Sequence, residues 1–151
     1  MRKLQFLLIC SLVTGAATLW AEKRVVAPLE FGRQGSAVLP FSPGILIDGT
    51  LYVSGQVGGD LKTRTIPQDF DTEVKTCLDN IGIILKAAGM TYDDVVSVQV
   101  YLTDMSLFQR MNAVYASIFK EPRPSRTTVG VAKLAAAGAR LEISVTARRS
   151  Q

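Results

Sequence analysis

No histidine occurs anywhere in this chain of 151 residues. That absence excludes Ser-His-Asp and Cys-His nucleophilic catalysis, histidine-ligated zinc and imidazole proton shuttling. Cysteine is nearly as scarce. Cys10 and Cys77 stand alone with no CxxC, so a structural metal site lacks its usual ligand spacing. No cluster of Lys and Arg with interleaved aromatics is present, which leaves a nucleic-acid partner without an electrostatic footprint. The single long apolar run, Leu4 to Leu19, is short for a bilayer span and is broken by Ser11, Thr14, Gly15 and Thr18.

That apolar run reads as a targeting segment. Arg2 and Lys3 precede it as a basic n-region, and it carries small residues at Gly15, Ala16 and Ala17. Residues 1–21 are therefore expected to be a signal peptide cleaved after Ala17 or Ala21. An exported protein, periplasmic or secreted, with no stable membrane span after processing would result. An uncleaved N-terminal anchor is the alternative. Ile9 before Cys10 argues against a lipoprotein. Removing the segment takes the 17 basic residues to 15 against 13 acidic ones, a net charge of +2, and leaves Cys77 with no partner for a disulfide.

The remainder, residues 22–151, is sized for one domain. The 48% hydrophobic and 20% charged content of the full chain is that of a folded globular protein. A strand is expected around Lys23 to Ala27. Asp48-Gly49 between Ile45-Leu46-Ile47 and Leu51 to Val57 predicts a hairpin. Phe70, Val74, Cys77, Leu78, Ile81, Leu85 and Ala88 recur at helical spacing, with Gly89 where a C-cap belongs. Cys77 on that stripe reads as a buried structural thiol. Val96, Val98, Val100 and Leu102 alternate with polar residues as a strand. Phe108, Met111, Tyr115 and Phe119 mark a second helix over 107–119. Strands follow at about 126–134 and 140–148.

The order β-β-α-β-α-β-β predicts an α+β fold: a single sheet with two helices on one face. The opposite face is expected to carry Tyr52, Ser54, Gln56, Ser97, Gln99, Tyr101, Arg126, Thr128, Glu142, Ser144 and Thr146. So mild a polar face, with two tyrosines and few charges, fits a subunit interface with clefts in it better than a solvated surface. Arg126 presents a planar donor fork matched to a carboxylate, and Glu142 can move protons. The alternatives are an inter-subunit salt bridge for Arg126 and a structural partnership with Arg140 or Lys133 for Glu142.

These segments resemble the Rid family, the reactive intermediate deaminases also called the YjgF family. Four motifs carry the resemblance across Pro40 to Ala147: Leu51-Tyr52-Val53-Ser54-Gly55-Gln56, Val95 to Asp104, Met111-Asn112-Ala113-Val114-Tyr115, and Pro124-Ser125-Arg126 through Glu142-Ile143. The resemblance implies a chorismate-mutase-like fold with a mixed sheet, a homotrimer with clefts between subunits, and hydrolysis of 2-imino or enamine acids to 2-oxo acids and ammonia without metal or cofactor. It places a carboxylate-binding role on Arg126 and a proton-transfer role on Glu142. Substrate contacts fall to Ser54, Gly55, Asn112 and Thr128, with Phe41 as cleft wall. Phe41 stands where the family commonly has tyrosine, Thr128 where it often has cysteine, and the link Leu134 to Ala139 is one residue longer. Two functions fit: a deaminase acting on small carboxylate-bearing substrates, and a non-catalytic trimer that binds small acids or acts as a holdase in the same cleft.

Overall fold

The computed structural model describes residues 22–31 and 40–149; the expected signal peptide lies outside them. Eight regular elements follow one another: β1 Arg24–Val26, β2 Gly44–Ile47, β3 Thr50–Val57, α1 Phe70–Ala87, β4 Val95–Leu102, α2 Phe108–Ile118, β5 Ser125–Gly130 and β6 Leu141–Arg148. The strands form one mixed sheet in the order β1-β2-β3-β6-β4-β5. Only the β4–β5 pair is parallel, because α2 provides the crossover between them. Both helices cover one face, as the alternation of the strands requires.

Local chemistry accounts for the boundaries. Asp48 and Gly49 both adopt positive φ, 48° and 70°, which makes the two-residue turn that matches strand twist. The Asp69 carboxylate caps α1 by accepting from the Thr72 amide at 2.8 Å. Gly89, at φ 71°, ends it, with the Met90 amide donating to the Leu85 carbonyl and the Gly89 amide to that of Lys86. β5 stops at Gly130 rather than near residue 134. Its partner β4 ends at Leu102, so past Val131, whose amide reaches the Leu102 carbonyl, nothing remains to pair with.

Two register shifts move side chains between faces. On β4, Val95 pairs with Ala147 and Ser97 with Thr146, so Val96 is the extra residue. It is turned outward and 49% exposed, while Val95 enters the core, which corrects the inward placement expected for Val96. On β3, Val53 pairs with Val145 and Gln56 with Ile143, leaving Ser54 and Gly55 together opposite Ser144. Gln56 consequently faces the helices and is buried, not on the polar face. The core lies between sheet and helices, built from Leu51, Val98, Val100, Leu141, Ile143 and Val145 below and Phe70, Leu78, Ile81, Leu85, Met111 and Phe119 above.

One ion pair enters that core. Glu73 on α1 is fully buried. Its Oε1 accepts from the Arg140 amide at 2.7 Å and its Oε2 from Arg140 Nε at 2.6 Å. Arg140 Nη2 also donates to the Pro67 carbonyl at 2.8 Å, and its guanidinium lies 5.4 Å from the Phe70 ring centroid. Arg140 is thus spoken for by Glu73, not by Glu142. We expect Arg140→Ala to leave a buried carboxylate without its cation and to cost about 3 kcal/mol. Urea denaturation at neutral pH, read as a lower midpoint with unchanged slope, checks this.

Candidate functional site

Leu141 and Ile143 are fully buried under the helices, so Glu142 between them projects from the opposite face. There it meets the β3 bulge. A Cβ on Gly55 would lie 1.9 Å from Glu142 Oε1 and 2.7 Å from Cδ, so the carboxylate rests over bare backbone that only glycine leaves open. With Arg140 committed to Glu73, Glu142 has no cation partner among the described residues. It lines a cavity of about 480 Å³ together with Gly55, Phe41, Pro43, Arg64 and the Ala135–Ala137 link. Phe41 is 56% exposed there, an apolar wall without a hydroxyl.

The floor of this cavity is held from behind. Cys77 Sγ donates to the Gln56 carbonyl at 3.1 Å, and burial pushes its thiol well above the ordinary range, so it stays a protonated donor and not a nucleophile. Asn80 Nδ2 donates to the carbonyls of Val57 at 3.1 Å and Gly59 at 3.0 Å. Asn80 is not among the residues that the sequence pattern singles out. Its signal is an amide three residues after Cys77 and next to Ile81, on the buried side of α1, where such a group must find backbone partners. Ser54 stands outside the cavity lining. Its hydroxyl donates to the Ser42 carbonyl at 2.6 Å and its amide to Pro43 at 2.9 Å, so it anchors the loop that carries Phe41.

Arg126 lies elsewhere. It pairs with Val98 in the parallel ladder and therefore shares the helix-covered face. Its guanidinium carbon is 4.6 Å from the Tyr115 ring centroid and 5.7 Å from that of Phe108, and Nη1 is 4.0 Å from Met111 Sδ. Thr128, opposite Val100, is on the same face; its Oγ1 and the Tyr115 hydroxyl are both buried without a hydrogen-bond partner among the described residues. Burial raises the Tyr115 phenol above its ordinary value, and the Arg126 charge opposes that shift. Asn112 follows Met111 on α2 and is half-buried. The single polar face expected for Arg126, Thr128, Gln56 and Glu142 is thus corrected. Arg126, Thr128 and Gln56 belong to the helix side, and only Glu142 keeps the outer position. The reason is register: residue parity along β5 is set by its pairing with β4, which no local pattern in Arg126-Thr127-Thr128 discloses.

The outer face retains Tyr52, Ser97, Gln99 and Ser144. Gln99 Nε2 donates to Ser97 Oγ and Ser144 Oγ donates to Gln99 Oε1, each at 3.0 Å. Among the described residues, no group of three or more His, Cys, Asp or Glu is placed to hold a metal ion, and no helix is long and apolar enough to cross a membrane.

A mixed six-stranded sheet under two helices, with a free carboxylate over a glycine bulge, defines a small α+β protein built around one acidic cleft. The family model described as Endoribonuclease L-PSP matches residues 32–149. The chain belongs to that family, the Rid or YjgF family. The 2-iminobutanoate/2-iminopropanoate deaminase of Bos taurus is 40% identical over 113 residues, covering 74% of this chain and 82% of the bovine protein. The crystal structure of the YjgF gene product from E. coli superposes with a TM-score of 0.75 at 30% identity, covering 84% of this chain and 99% of that one. E. coli TdcF with bound serine gives a TM-score of 0.75 at 29% identity over the same shares.

The Gly55 contact makes a direct test. Gly55→Ala is expected to displace the Glu142 carboxylate and to destabilise the fold by about 1–3 kcal/mol through overpacking. Adding Glu142→Ser should restore most of that loss, measured by thermal denaturation of the single and double variants.

Proposed function

We propose that the protein hydrolyses reactive 2-imino and enamine acids to 2-oxo acids and ammonia, without a cofactor, in clefts between the subunits of a homotrimer. The observation that carries this reading is Glu142, a carboxylate with no cation partner among the described residues, set over Gly55 on the wall of a cavity. The relatives named 2-iminobutanoate/2-iminopropanoate deaminase at about 40% identity supply the reaction class, and the serine bound to TdcF supports a small carboxylate-bearing ligand.

The chemistry asks for two groups. Water must reach the imine carbon with loss of a proton, and the nitrogen must then receive one as ammonia leaves. Acting on the protonated imine, Glu142 takes a proton from water while the C–O bond forms, returns it to the nitrogen of the resulting carbinolamine, and accepts the hydroxyl proton as the C–N bond breaks, so that ammonia leaves, the 2-oxo group forms and the last proton passes to solvent. Backbone amides near Gly55 stand next to this centre. The substrate carboxylate needs a cation, and Arg126 is the fork suited to it. Within one protomer Arg126 and Glu142 lie on opposite faces of the sheet, so the pair can act together only if Arg126 of one copy reaches the Glu142 cleft of another. Asn112 and Thr128 would accompany Arg126, while Gly55 and Phe41 belong with Glu142 and Ser54 anchors the Phe41 loop.

A ribonuclease reading, which the family's name suggests, has less physical support. A phosphate backbone calls for several cations, and this cavity sets one arginine against two carboxylates. A small-acid-binding or holdase-like trimer without catalysis is the second reading, favoured by Phe41, which removes a hydroxyl from the cleft wall.

A mixing experiment separates these. Imines are generated in situ with an amino-acid oxidase, and the remaining imine is trapped with semicarbazide. Glu142→Gln is expected to lower kcat by about a hundredfold or more, and Arg126→Ala to raise KM. Refolding Arg126→Ala together with Glu142→Gln should return about one quarter of the wild-type sites in randomly mixed trimers. No acceleration by the wild type on any carboxylate imine refutes the enzyme, and a monomeric mass by light scattering refutes the shared cleft.

Export of the chain through residues 1–21 belongs to the same proposal. N-terminal sequencing of protein recovered outside the cytoplasm should begin at Thr18 or Glu22; an intact Met1 would overturn it.

A further inference from the structure

The loop between β3 and α1 holds a residue that neither the hydrolysis nor the fold uses. The Asp60 carboxylate accepts from the amides of Lys62 at 2.9 Å and Thr63 at 2.7 Å and from the Thr63 hydroxyl at 3.1 Å. The Arg64 amide donates to the Asp60 carbonyl at 2.8 Å, and the Asp60 amide donates to that of Thr65 at 3.0 Å. The Thr63 and Lys62 amides hold the Asp60 carboxyl below its ordinary value, so its charge is committed to the turn. Closing so tight a turn forces Arg64 to φ 62°, in the left-handed region. A glycine would sit there freely; an arginine costs about 1 kcal/mol.

Arg64 nevertheless lines the same cavity as Glu142. It is the only positive charge on that lining among the described residues, and its guanidinium has no hydrogen-bond or ion-pair partner among them. Val57, Leu61, Ile66 and Ala136 add apolar surface to the lining, alongside Gln56, Asn80 and the turn-bound Asp60. A cavity of about 480 Å³ offers more room than a three- or four-carbon acid fills. A cavity with apolar surface, Glu142 on its wall and an unpartnered guanidinium carried on a strained backbone suits a ligand with methylenes between two anionic groups.

We propose that Arg64 is a specificity residue that binds a second carboxylate, so that this protein favours imino dicarboxylates over imino monocarboxylates. This rests on the deaminase reading, in which Arg126 of a neighbouring copy takes the carboxylate beside the imine carbon. Arg64 then takes the distal one and orients the chain along the apolar wall.

Arg64→Gly tests this cleanly, because glycine fits the backbone while removing the charge; its melting temperature should equal or exceed that of the wild type. Imines are generated from glutamate and from 2-aminobutanoate with the matching oxidases. The ratio of kcat/KM for the diacid to that for the monoacid is expected to fall about tenfold in Arg64→Gly. In parallel, calorimetry follows binding of 2-oxoglutarate and 2-oxobutanoate to both proteins, which needs no turnover. Selective weakening of 2-oxoglutarate in Arg64→Gly supports the assignment even if no imine is hydrolysed, in which case the deaminase reading alone falls. An unchanged diacid-to-monoacid ratio in turnover and in binding overturns it, and it leaves the deaminase reading standing wherever monoacid imines are still consumed faster.

Discussion

The buried ion pair between Glu73 and Arg140 governs the geometry of this protein. In an extended strand Arg140 and Glu142 have the same parity and would lie side by side on one face. Glu73 prevents this by drawing the guanidinium back to the helix side, where Pro67 and Phe70 complete its surroundings. The Arg140 carbonyl meanwhile accepts from the Thr103 amide at 2.9 Å, which locks the start of β6 to the end of β4. A charge pair in a core is expensive to desolvate, and its mutual attraction offsets much of that cost. Its specific effect here is positional: one helix, the loop before it and one strand converge on two residues.

The consequence reaches the cleft. A carboxylate neutralised by its own chain neighbour would serve poorly as a base toward water, whereas Glu142 faces the cavity with its lone pairs uncommitted. Gly55 gives it space, and the bulge that places Gly55 there is held from α1 by Cys77 and Asn80. The acidic centre is therefore supported by buried hydrogen bonds rather than by other charges. That arrangement keeps its field directed at whatever occupies the cavity. Arg126 is organised differently, against the faces of Tyr115 and Phe108 beside the edge strand β5, where another chain can approach.

Much of the architecture was legible beforehand. Asp48-Gly49 marked the hairpin, Gly89 marked the end of α1, and the apolar spacing of the helices placed both on one side of the sheet. The motifs around Ser54-Gly55-Gln56 and Arg126 led to the family. The failures share one cause. Val96, Gln56, Arg126 and Thr128 were all assigned to faces by strict alternation. The first two were displaced by bulges, the last two by pairing with a parallel strand distant in sequence. Arg64 carried no signal at all, being an ordinary arginine in a polar loop until the turn around Asp60 forced its backbone and the cavity reached it.

Local chemistry alone determined which segments became strands, helices and turns, because caps, turn residues and apolar periodicity act within a few residues of themselves. It also determined the kinds of group available: no imidazole, but thirteen carboxylates and ten arginines. Only the tertiary structure decided which of those groups meet. Side-chain direction in a strand inverts with a one-residue change of register, and register is set by partners that the chain finds only when it folds. Within one protomer Glu142 therefore shares its cavity with Arg64 and not with Arg126.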